Sequence, residues 1–267
     1  MLHNYDTPKP VRAFSTTRHG GVSKGMYASF NANHYCGDEP DNVRENRSLL
    51  CKELGINENR LIVPHQTHND RTLIINDAFL FLPSEVRKDM LEGIDAVSTN
   101  INNVCVCVST ADCIPILIYD EKNHVVSAVH AGWRGTIQRI VMTNINVLAH
   151  TFGIDPSECK AIIGPGISLD AFEVGEEVYE TFASKGFDMT EIAKKYLSKD
   201  KQSEKWHINL PLCNKFQLLQ AGLKEENIHL SNICTYSSSN DFFSARRLGV
   251  NSGRILNGIM INRERKG

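Results

Sequence analysis

Three short segments of this chain carry side chains that could bind a soft metal ion or act as nucleophiles. Ser109–Pro115 contains the thiol of Cys113, and His130–Gly135 contains an imidazole and a guanidinium. Two more imidazoles, His65 and His68, precede both segments. These side chains are too far apart in sequence for a local zinc finger, which uses closely spaced pairs of ligands. The fold must therefore bring the site together.

Apolar runs in the sequence place these segments at the ends of strands. The runs at 104–108, 114–119 and 125–129 have the length and composition of buried strands. The short polar turn at 120–123 predicts that the second and third strands pair in antiparallel fashion. Hairpins mixed with strand–helix alternation favour an α+β fold with layered mixed sheets flanked by helices over a regular βαβ winding.

Helical spacing of apolar residues predicts helices that flank these strands. The segment 41–54 has this spacing and stops at Gly55. Thr136 is expected to cap a single helix that runs to Phe152 and ends at Gly153. Asn209 is expected to cap a later helix.

The composition is that of an ordinary globular protein. The 267 residues are 41% hydrophobic and 22% charged, and no linker is visible, so we expect one domain over residues 1–267. Twenty-nine basic side chains face 31 acidic ones, so charge gives no reason to expect a nucleic-acid partner. The charged tail Arg263–Lys266 is interpreted as a solvated end.

The N-terminal residues lack the basic start and apolar stretch of a signal peptide, and no apolar run approaches the roughly 20 residues of a membrane helix. We therefore expect a cytoplasmic protein with no membrane partner. Its eight cysteines are scattered, which favours reduced thiols. Cys105 and Cys107 alternate with valines in an apolar strand, so both are expected to be core residues.

Two common classes of enzyme are disfavoured by what the sequence lacks. Neither Gly-x-Gly-x-x-Gly nor the P-loop pattern occurs, which removes the usual indication of a dinucleotide or nucleoside triphosphate site. A multicopper oxidase needs many histidines, commonly in His-x-His pairs, whereas this chain has ten histidines and no such pair. Copper-dependent polyphenol oxidase (laccase) activity is therefore not expected, although adventitious copper could bind a thiol site.

Several segments resemble the YfiH family, whose members carry the names polyphenol oxidase (laccase), purine nucleoside phosphorylase and peptidoglycan editing factor, and which is related to the human immune enzyme FAMIN. The matching segments are Thr16–Ser23, Asn46–Arg47, the His68 segment, Asp95–Ala96, Ala111–Pro115, His130–Gly135, Gly164–Pro165, Phe172–Val174, Phe243–Ser244 and Arg246–Arg247. The family usually has glycine where this chain has Asn69, a residue type that tolerates left-handed backbone.

The resemblance implies a YfiH-like α+β fold and a zinc site formed by His68, Cys113 and His130, in which copper is also possible. It further implies phosphorolysis of adenosine, inosine and 5′-methylthioadenosine, together with deamination of adenosine. Two histidines and a thiolate leave an open zinc position, where zinc lowers the pKa of bound water to about 7. Phosphorolysis needs an anion clamp, for which Arg134 and Arg47 are candidates, and Asp112 is a further candidate for substrate binding. The partners would be purine nucleosides and phosphate, with the protein a monomer or homodimer.

Two other functions remain open at the same residues. Cys113 and His130 could form the nucleophile and base of a metal-free hydrolase or amidase that edits cell-wall precursors, with Asp112 or a backbone carbonyl orienting the imidazole. A chelator would inactivate a zinc enzyme but not this one. A non-enzymatic zinc protein would need a fourth protein ligand to close the site.

Overall fold

The computed structural model describes residues 1–197 and 203–262, so the tail Arg263–Lys266 lies outside the described residues. The strands are β1 (Leu2–Asn4), β2 (Val11–Thr16), β3 (Leu61–Ile62), β4 (Thr72–Ile75), β5 (Ala96–Thr99), β6 (Cys105–Thr110), β7 (Ile114–Asp120), β8 (Val125–Ala131), β9 (Lys160–Ile163), β10 (Glu173–Val174), β11 (Ala193–Leu197), β12 (Glu204–Ile208), β13 (Ile228–Leu230) and β14 (Ile255–Ile261). The helices are α1 (Pro40–Leu54), α2 (Asp77–Phe81), α3 (Ser84–Met90), α4 (Trp133–Ile137), α5 (Ile140–Phe152), α6 (Glu176–Ser184), α7 (Met189–Ile192), α8 (Leu210–Gln220) and α9 (Ala245–Leu248).

The described strands form two large sheets and a small one. The first has the order β1-β2-β14-β6-β3, and the second has the order β13-β9-β7-β8-β5-β4. A three-stranded sheet, β10-β12-β11, is separate from both. Parallel and antiparallel pairs occur within each large sheet, which confirms the predicted mixed sheets. The predicted antiparallel pairing of β7 with β8 is confirmed over seven residue pairs.

The two large sheets pack face to face and are covered by helices on their outer faces. Val106 and Val108 of β6 lie in the same apolar cluster as Val126 and Ala128 of β8, which fills the space between the sheets. Cys105 and Cys107 point to the opposite face of β6, where they join the cluster under α1 and are fully buried. A third cluster joins β7, β8 and β9 to α5 and α8. The expectation that both cysteines are core residues is confirmed.

The prediction of a single helix capped by Thr136 is wrong, because the chain forms two helices there. Arg139 adopts a left-handed φ of 64°, which interrupts the helix between α4 and α5. Thr136 lies inside α4 and is fully buried. Its carbonyl accepts a hydrogen bond from Gln217 and its hydroxyl contacts the side-chain amide of Asn214, so tertiary contacts with α8 determine its position.

Other local predictions are confirmed at the ends of helices. Asn209 precedes α8 and accepts a hydrogen bond from the backbone N–H of Leu212. Gly55 ends α1 in a left-handed conformation with φ 69°. Among the residues that the structure describes, no helix is both long and apolar enough to cross a membrane.

Candidate metal centre

Three donor side chains from separate parts of the fold meet at one point. His68 lies in the loop between β3 and β4, Cys113 directly precedes β7, and His130 lies near the end of β8. Their ligand atoms all lie within 4.8 Å of one another, and Cys113 Sγ is 3.8 Å from His68 Nε2. The structure thus brings together the three residues that the resemblance implied as metal ligands.

A buried carboxylate fixes the loop that carries His68. Asp95 is fully buried and accepts hydrogen bonds from the backbone N–H groups of Thr67, His68 and Asn69 at 3.0–3.1 Å. His68 itself adopts the left-handed conformation, with φ 65°. The tolerance of Asn69 for left-handed backbone is therefore not used in this loop. Asn69 instead braces the loop, because its side-chain amide donates to Thr67 Oγ1 and to the carbonyl of Gly93.

The same carboxylate orients His130. Asp95 Oδ1 lies 2.7 Å from His130 Nδ1, and the imidazole is only 3% exposed. A carboxylate accepts and cannot donate when ionised, so Nδ1 must carry the proton. This tautomer leaves Nε2 with its lone pair available to a metal, an arrangement common among metal-binding histidines.

The electrostatics of the cluster favour a thiolate. Burial opposes ionisation of Cys113, but the neighbouring His130 imidazole and hydrogen bonds to both histidines outweigh it and lower the pKa of the thiol to about 6. Burial also opposes protonation of His130, yet Cys113 and Asp95 raise its pKa to about 9. Burial acts to raise the pKa of Asp95, but hydrogen bonds from His130 and the loop N–H groups hold it below its usual value. Near pH 7 the metal-free cluster is thus a thiolate beside a protonated imidazole, and a metal ion that binds the thiolate displaces the proton from His130 Nε2.

Gly132 leaves space for this cluster. A β-carbon at Gly132 would lie 2.9 Å from Cδ2 of His68 and 3.1 Å from Sγ of Cys113, closer than ordinary contacts. The two imidazoles and the thiolate provide nitrogen and sulfur donors of the kind that zinc prefers. Asp95 supplies the outer hydrogen bond that such a ligand needs. The residues present therefore fit a zinc ion.

The donors open onto a cavity of about 480 Å³, called the metal cavity below. Its walls combine aromatic, polar and cationic side chains. The lining residues are Asn33, Tyr35, Cys36, His65, Gln66, His68, Ser109, Thr110, Ala111, Asp112, Cys113, His130, Ile167, Phe172, Ala245, Arg246, Val250 and Arg254.

Two predicted anion-binding residues are not brought to this cavity. Arg134 is exposed on α4, and its guanidinium lies 4.3 Å from the centre of the Trp133 ring. Arg47 is buried on α1, where its Nε donates to Glu58 Oε1 at 3.0 Å. Both side chains are absent from the wall of the metal cavity.

Asp112 reaches the cavity wall but has other partners. It accepts a hydrogen bond from the Thr235 hydroxyl at 2.7 Å and another from the backbone N–H of Arg246 at 2.7 Å. Its backbone adopts φ 93° directly before Cys113. The suggestion that Asp112 orients the imidazole of His130 is wrong, because Asp95 occupies that position.

Several residues that sequence reasoning passed over belong to the site. Asp95 and Phe172 lay in segments matched to the family but received no role there. Gln66 binds the backbone N–H and carbonyl of Ser109, which joins the His68 loop to β6. Arg246 also lay in a matched segment without a role, and it lies on the cavity wall. Its Nη1 donates to the carbonyl of Glu173 at 3.1 Å, and the signal that could have found it is the Arg246–Arg247 match itself.

His65 also lines the metal cavity. Its Nδ1 lies 2.8 Å from both carboxylate oxygens of Glu92, and its ring stacks on Tyr35 with centres 4.3 Å apart. This pair gives one wall a flat aromatic surface. Purine bases stack well on such surfaces.

Within residues 1–197 and 203–262, the cluster of His68, Cys113 and His130 is the one group of three or more His, Cys, Asp or Glu side chains placed to hold a metal ion. A multicopper oxidase requires several copper sites with many more histidines. The described residues thus offer one candidate metal site, fewer than such an oxidase uses.

Comparison with known proteins finds relatives that align with nearly the whole chain. The purine nucleoside phosphorylase of Bacteroides thetaiotaomicron is 46% identical over 253 residues, which cover 95% of this chain and 92% of that protein. Adenosine deaminase RL5, from an unknown prokaryotic organism, is 37% identical, with 93% of each chain covered. The crystal structure of the hypothetical protein YfiH from Bacillus licheniformis superposes with a TM-score of 0.85 at 26% identity, over 94% of this chain and 93% of that one.

The relatives confirm the expectation of a YfiH-like fold and of likeness to enzymes named for purine nucleosides. Residues 12–262 match a family model described as multi-copper polyphenol oxidoreductase laccase. The chain belongs to this family, the YfiH family.

Proposed function

We propose that this protein is a zinc-dependent purine nucleoside enzyme that cleaves adenosine, inosine and 5′-methylthioadenosine with phosphate and also deaminates adenosine. The observation that carries this proposal is the convergence of His68, Cys113 and His130 on an open cavity of about 480 Å³. The names of the two curated relatives support purine nucleosides as substrates. A closed structural site would need a fourth side chain, and the donor group among the described residues has three.

His68, Cys113 and His130 would hold the zinc ion. When bound, zinc would supply Lewis acidity at the reacting centre. Asp95 keeps the proton on His130 Nδ1, so His130 presents Nε2 to the ion. Gly132 keeps the space beside His68 and Cys113 open.

The remaining walls would bind and orient the nucleoside. Tyr35 and His65 present a stacked aromatic surface on one side, and Phe172 provides another. The metal cavity has two arginines, Arg246 and Arg254, and Arg254 already donates to the carbonyls of Val250, Ser252 and Gly253. We therefore assign Arg246 to phosphate in place of Arg134 and Arg47, because a guanidinium can bind two oxygens at once.

Two reactions differ in the bond that breaks. In phosphorolysis a phosphate oxygen bonds to the ribose anomeric carbon while the carbon–nitrogen bond to the base breaks, and the base leaves with the electron pair and gains a proton. In deamination water adds to the amino-bearing carbon of adenine and ammonia leaves. The first reaction consumes phosphate and the second does not, so the requirement for phosphate separates them.

The test is chromatography of adenosine incubated with zinc-loaded protein, with and without phosphate, alongside Cys113→Ala. We expect adenine to form only with phosphate, or inosine to form regardless of it, and neither to form with Cys113→Ala. Cys113→Ala should also lose its bound zinc while its circular dichroism stays that of the parent. The matched control is Cys234→Ala, because Cys234 is also partly buried but lies outside the metal cavity. Full zinc occupancy in Cys113→Ala would refute the ligand assignment.

A second candidate function is a metal-free thiol hydrolase or amidase acting on cell-wall precursors. The observation that favours it is the order Cys113, His130, Asp95, which matches a nucleophile, a base and an orienting carboxylate. In this reaction the thiolate would attack the amide carbon, His130 would protonate the departing amine, and water would hydrolyse the resulting thioester.

A chelator separates the two candidates. The zinc enzyme should lose activity on chelation and regain it with added zinc, whereas the thiol hydrolase should survive chelation and be inactivated by iodoacetamide. Amide hydrolysis that persists in zinc-free protein, with no product from nucleosides, would favour the hydrolase.

A further inference from the structure

A second cavity, of about 710 Å³, lies beside the metal cavity and shares Tyr35 with it. We call it the arginine cavity. Its lining residues are His34, Tyr35, Arg47, Glu58, Asn59, Leu61, Ile62, Val63, Phe79, Ser84, Arg87, Lys88 and Leu91. It therefore lies between α1, α2, α3 and the segment around β3, and His68, Cys113 and His130 are not among its walls.

Arg47 contributes an unused hydrogen-bond donor to this cavity. The residue is 7% exposed. Its Nε donates to Glu58 Oε1 at 3.0 Å, and its Nη2 donates to the carbonyl of Leu61 at 3.4 Å. Its Nη1 is buried and has no hydrogen-bond partner among the described residues. A buried cationic donor without an acceptor is costly, so an added acceptor would be favourable there.

Arg87 brings a second unused donor from another element. It lies on α3, and its Nη1 donates to the carbonyl of Asn59 at 3.1 Å. Its Nε is also buried and has no partner within the described part of the chain. Two guanidinium groups on one cavity wall therefore each retain an unpaired N–H.

The charge of the arginine cavity is positive. Arg47, Arg87 and Lys88 supply three cations against the single carboxylate of Glu58, which leaves two net positive charges. Burial lowers the pKa of His34 and nearby Arg47 lowers it further, so His34 remains neutral near pH 7. A phosphate monoester carries about −1.5 to −2 at pH 7, which matches this charge.

We propose that the arginine cavity binds the phosphate group of a small molecule, either free phosphate or a phosphate ester. Planar guanidinium groups suit the paired oxygens of phosphate. Apolar side chains such as Val63, Phe79 and Leu91 line the same cavity and would receive the group attached to an ester. This site is additional to the nucleoside site of the proposed function and does not depend on zinc.

The test is isothermal titration calorimetry of the zinc-loaded protein with inorganic phosphate and, separately, with AMP. The main variant is the double substitution Arg87→Gln, Lys88→Gln, whose positions lie on the surface helix α3. The matched control is Lys24→Gln, Lys52→Gln, which removes the same charge from two exposed lysines that do not line the cavity. Arg47→Lys keeps the charge but removes the guanidinium donors, and it serves as a second test if it folds.

Losing one charge-assisted hydrogen bond weakens binding by roughly tenfold or more. In an Arg246→Gln background, which lacks the residue that we assign to phosphate in the metal cavity, we expect the double variant to bind phosphate at least that much more weakly and the control to bind like that background. Cys113→Ser and Arg246→Gln should both retain phosphate binding in this cavity. Equal binding of phosphate and AMP would identify free phosphate as the ligand. Tighter binding of AMP that the double variant weakens would identify an ester in the arginine cavity.

Three results would overturn this proposal. These are the absence of binding by either probe, unchanged affinity in the double variant, and loss of all phosphate binding in Cys113→Ser or Arg246→Gln. The last result would place the anion in the metal cavity. Nucleoside cleavage is assayed separately, so its presence or absence does not decide the outcome.

Discussion

The two carboxylate oxygens of Asp95 interact with four hydrogen-bond donors. Its Oδ1 accepts from the backbone N–H of His68 and contacts Nδ1 of His130, and its Oδ2 accepts from the N–H groups of Thr67 and Asn69. An ionised carboxylate can accept at all four positions, whereas the amide of asparagine has only one accepting oxygen. Either orientation of an asparagine would therefore place its NH₂ group against donors. One residue thereby positions two of the three proposed zinc ligands.

Asp95→Asn should therefore weaken zinc binding. We expect a loss of about 10–100-fold in affinity, the range seen when outer partners of ligands are changed. Competition with a chromogenic chelator measures it. The control is Asp120→Asn, because Asp120 is 3% exposed, accepts hydrogen bonds from the backbone of Lys122 and Asn123, and lies at the opposite end of β7 from Cys113. Equal zinc affinity in the two variants would show that Asp95 does not position the ligands.

Gly132→Ala should disturb the metal site more than the fold. The new methyl would lie 2.9 Å from the His68 ring, and His68 is exposed and can move. We expect weaker zinc binding with little change in the melting temperature of the metal-free protein. Gly175→Ala is the control, since both glycines precede helices with similar backbone angles and Gly175 lies outside the metal cavity. Undiminished zinc affinity in Gly132→Ala would count against the role of this glycine.

The donors His68, Cys113 and His130 were predicted from residue type and from the family segments, because thiols and imidazoles bind metals through their own side-chain atoms. The role of Asp95 was not predictable in the same way. Its partners are backbone N–H groups and one imidazole more than 25 residues away, and no local pattern reports such contacts. Arg47 and Arg134 show the converse, because a guanidinium has anion chemistry wherever it lies and only the fold decides which cavity it faces.

At the scale of elements, the ends of helices could be predicted from neighbouring residues, whereas the break between α4 and α5 could not. Asn209 and Gly55 act as predicted because a cap depends on its immediate neighbours. The break at Arg139 could not be predicted from the sequence, because the helical spacing of apolar residues continues from Ile137 through Ile140. The carbonyl of Thr136 binds Gln217 on α8, and such a contact between helices has no signature within either segment.

Asn209→Ala tests the cap of α8. The substitution removes the acceptor for the N–H of Leu212, which lies at 3.1 Å from Asn209 Oδ1. We expect the free energy of unfolding to fall by about 1 kcal/mol, as for other caps of this kind. Urea denaturation measures the change. Asn209→Ser should recover most of the stability, and equal instability of both variants would contradict capping as the cause.

At the scale of the whole molecule, buried thiols should make the fold sensitive to alkali. Burial raises the pKa of Cys51 to about 11 and those of Cys159 and Cys213 to about 12, all above the usual 9. An unfolded chain would release these protons above pH 9 while the folded chain retains them. The stability that these buried thiols contribute is thus fully present below pH 9. It falls as the pH rises above 9 and is lost once the pH has passed through 11–12.

We expect each of these thiols to cost about 1 kcal/mol of unfolding free energy at pH 10 relative to pH 7.5. Urea denaturation at the two pH values measures the total, to which tyrosines and lysines also contribute. Cys159→Ala isolates one thiol, because the variant should be less stable at both pH values yet lose less stability between them. An identical loss in the variant and the parent would contradict the prediction.

The α+β class was predictable because hairpins and helices each have a recognisable sequence pattern. The pairing of distant strands was not, since β14 lies between β2 and β6 and no local pattern specifies its neighbours. Layered mixed sheets were predicted, but the strands that form each layer were not. That arrangement follows from apolar residues on both faces of β6 and β8, which require covering on each side.

The position of β14 has a consequence for how the chain is made. A ribosome releases β2 (Val11–Thr16) early and β14 (Ile255–Ile261) late, yet the two strands are neighbours in the sheet. Until β14 emerges, a nascent chain leaves the facing edges of β2 and β6 unpaired, and such edges promote aggregation. Synthesis halted before residue 255 should therefore yield a chain that needs a chaperone, however complete its metal ligands.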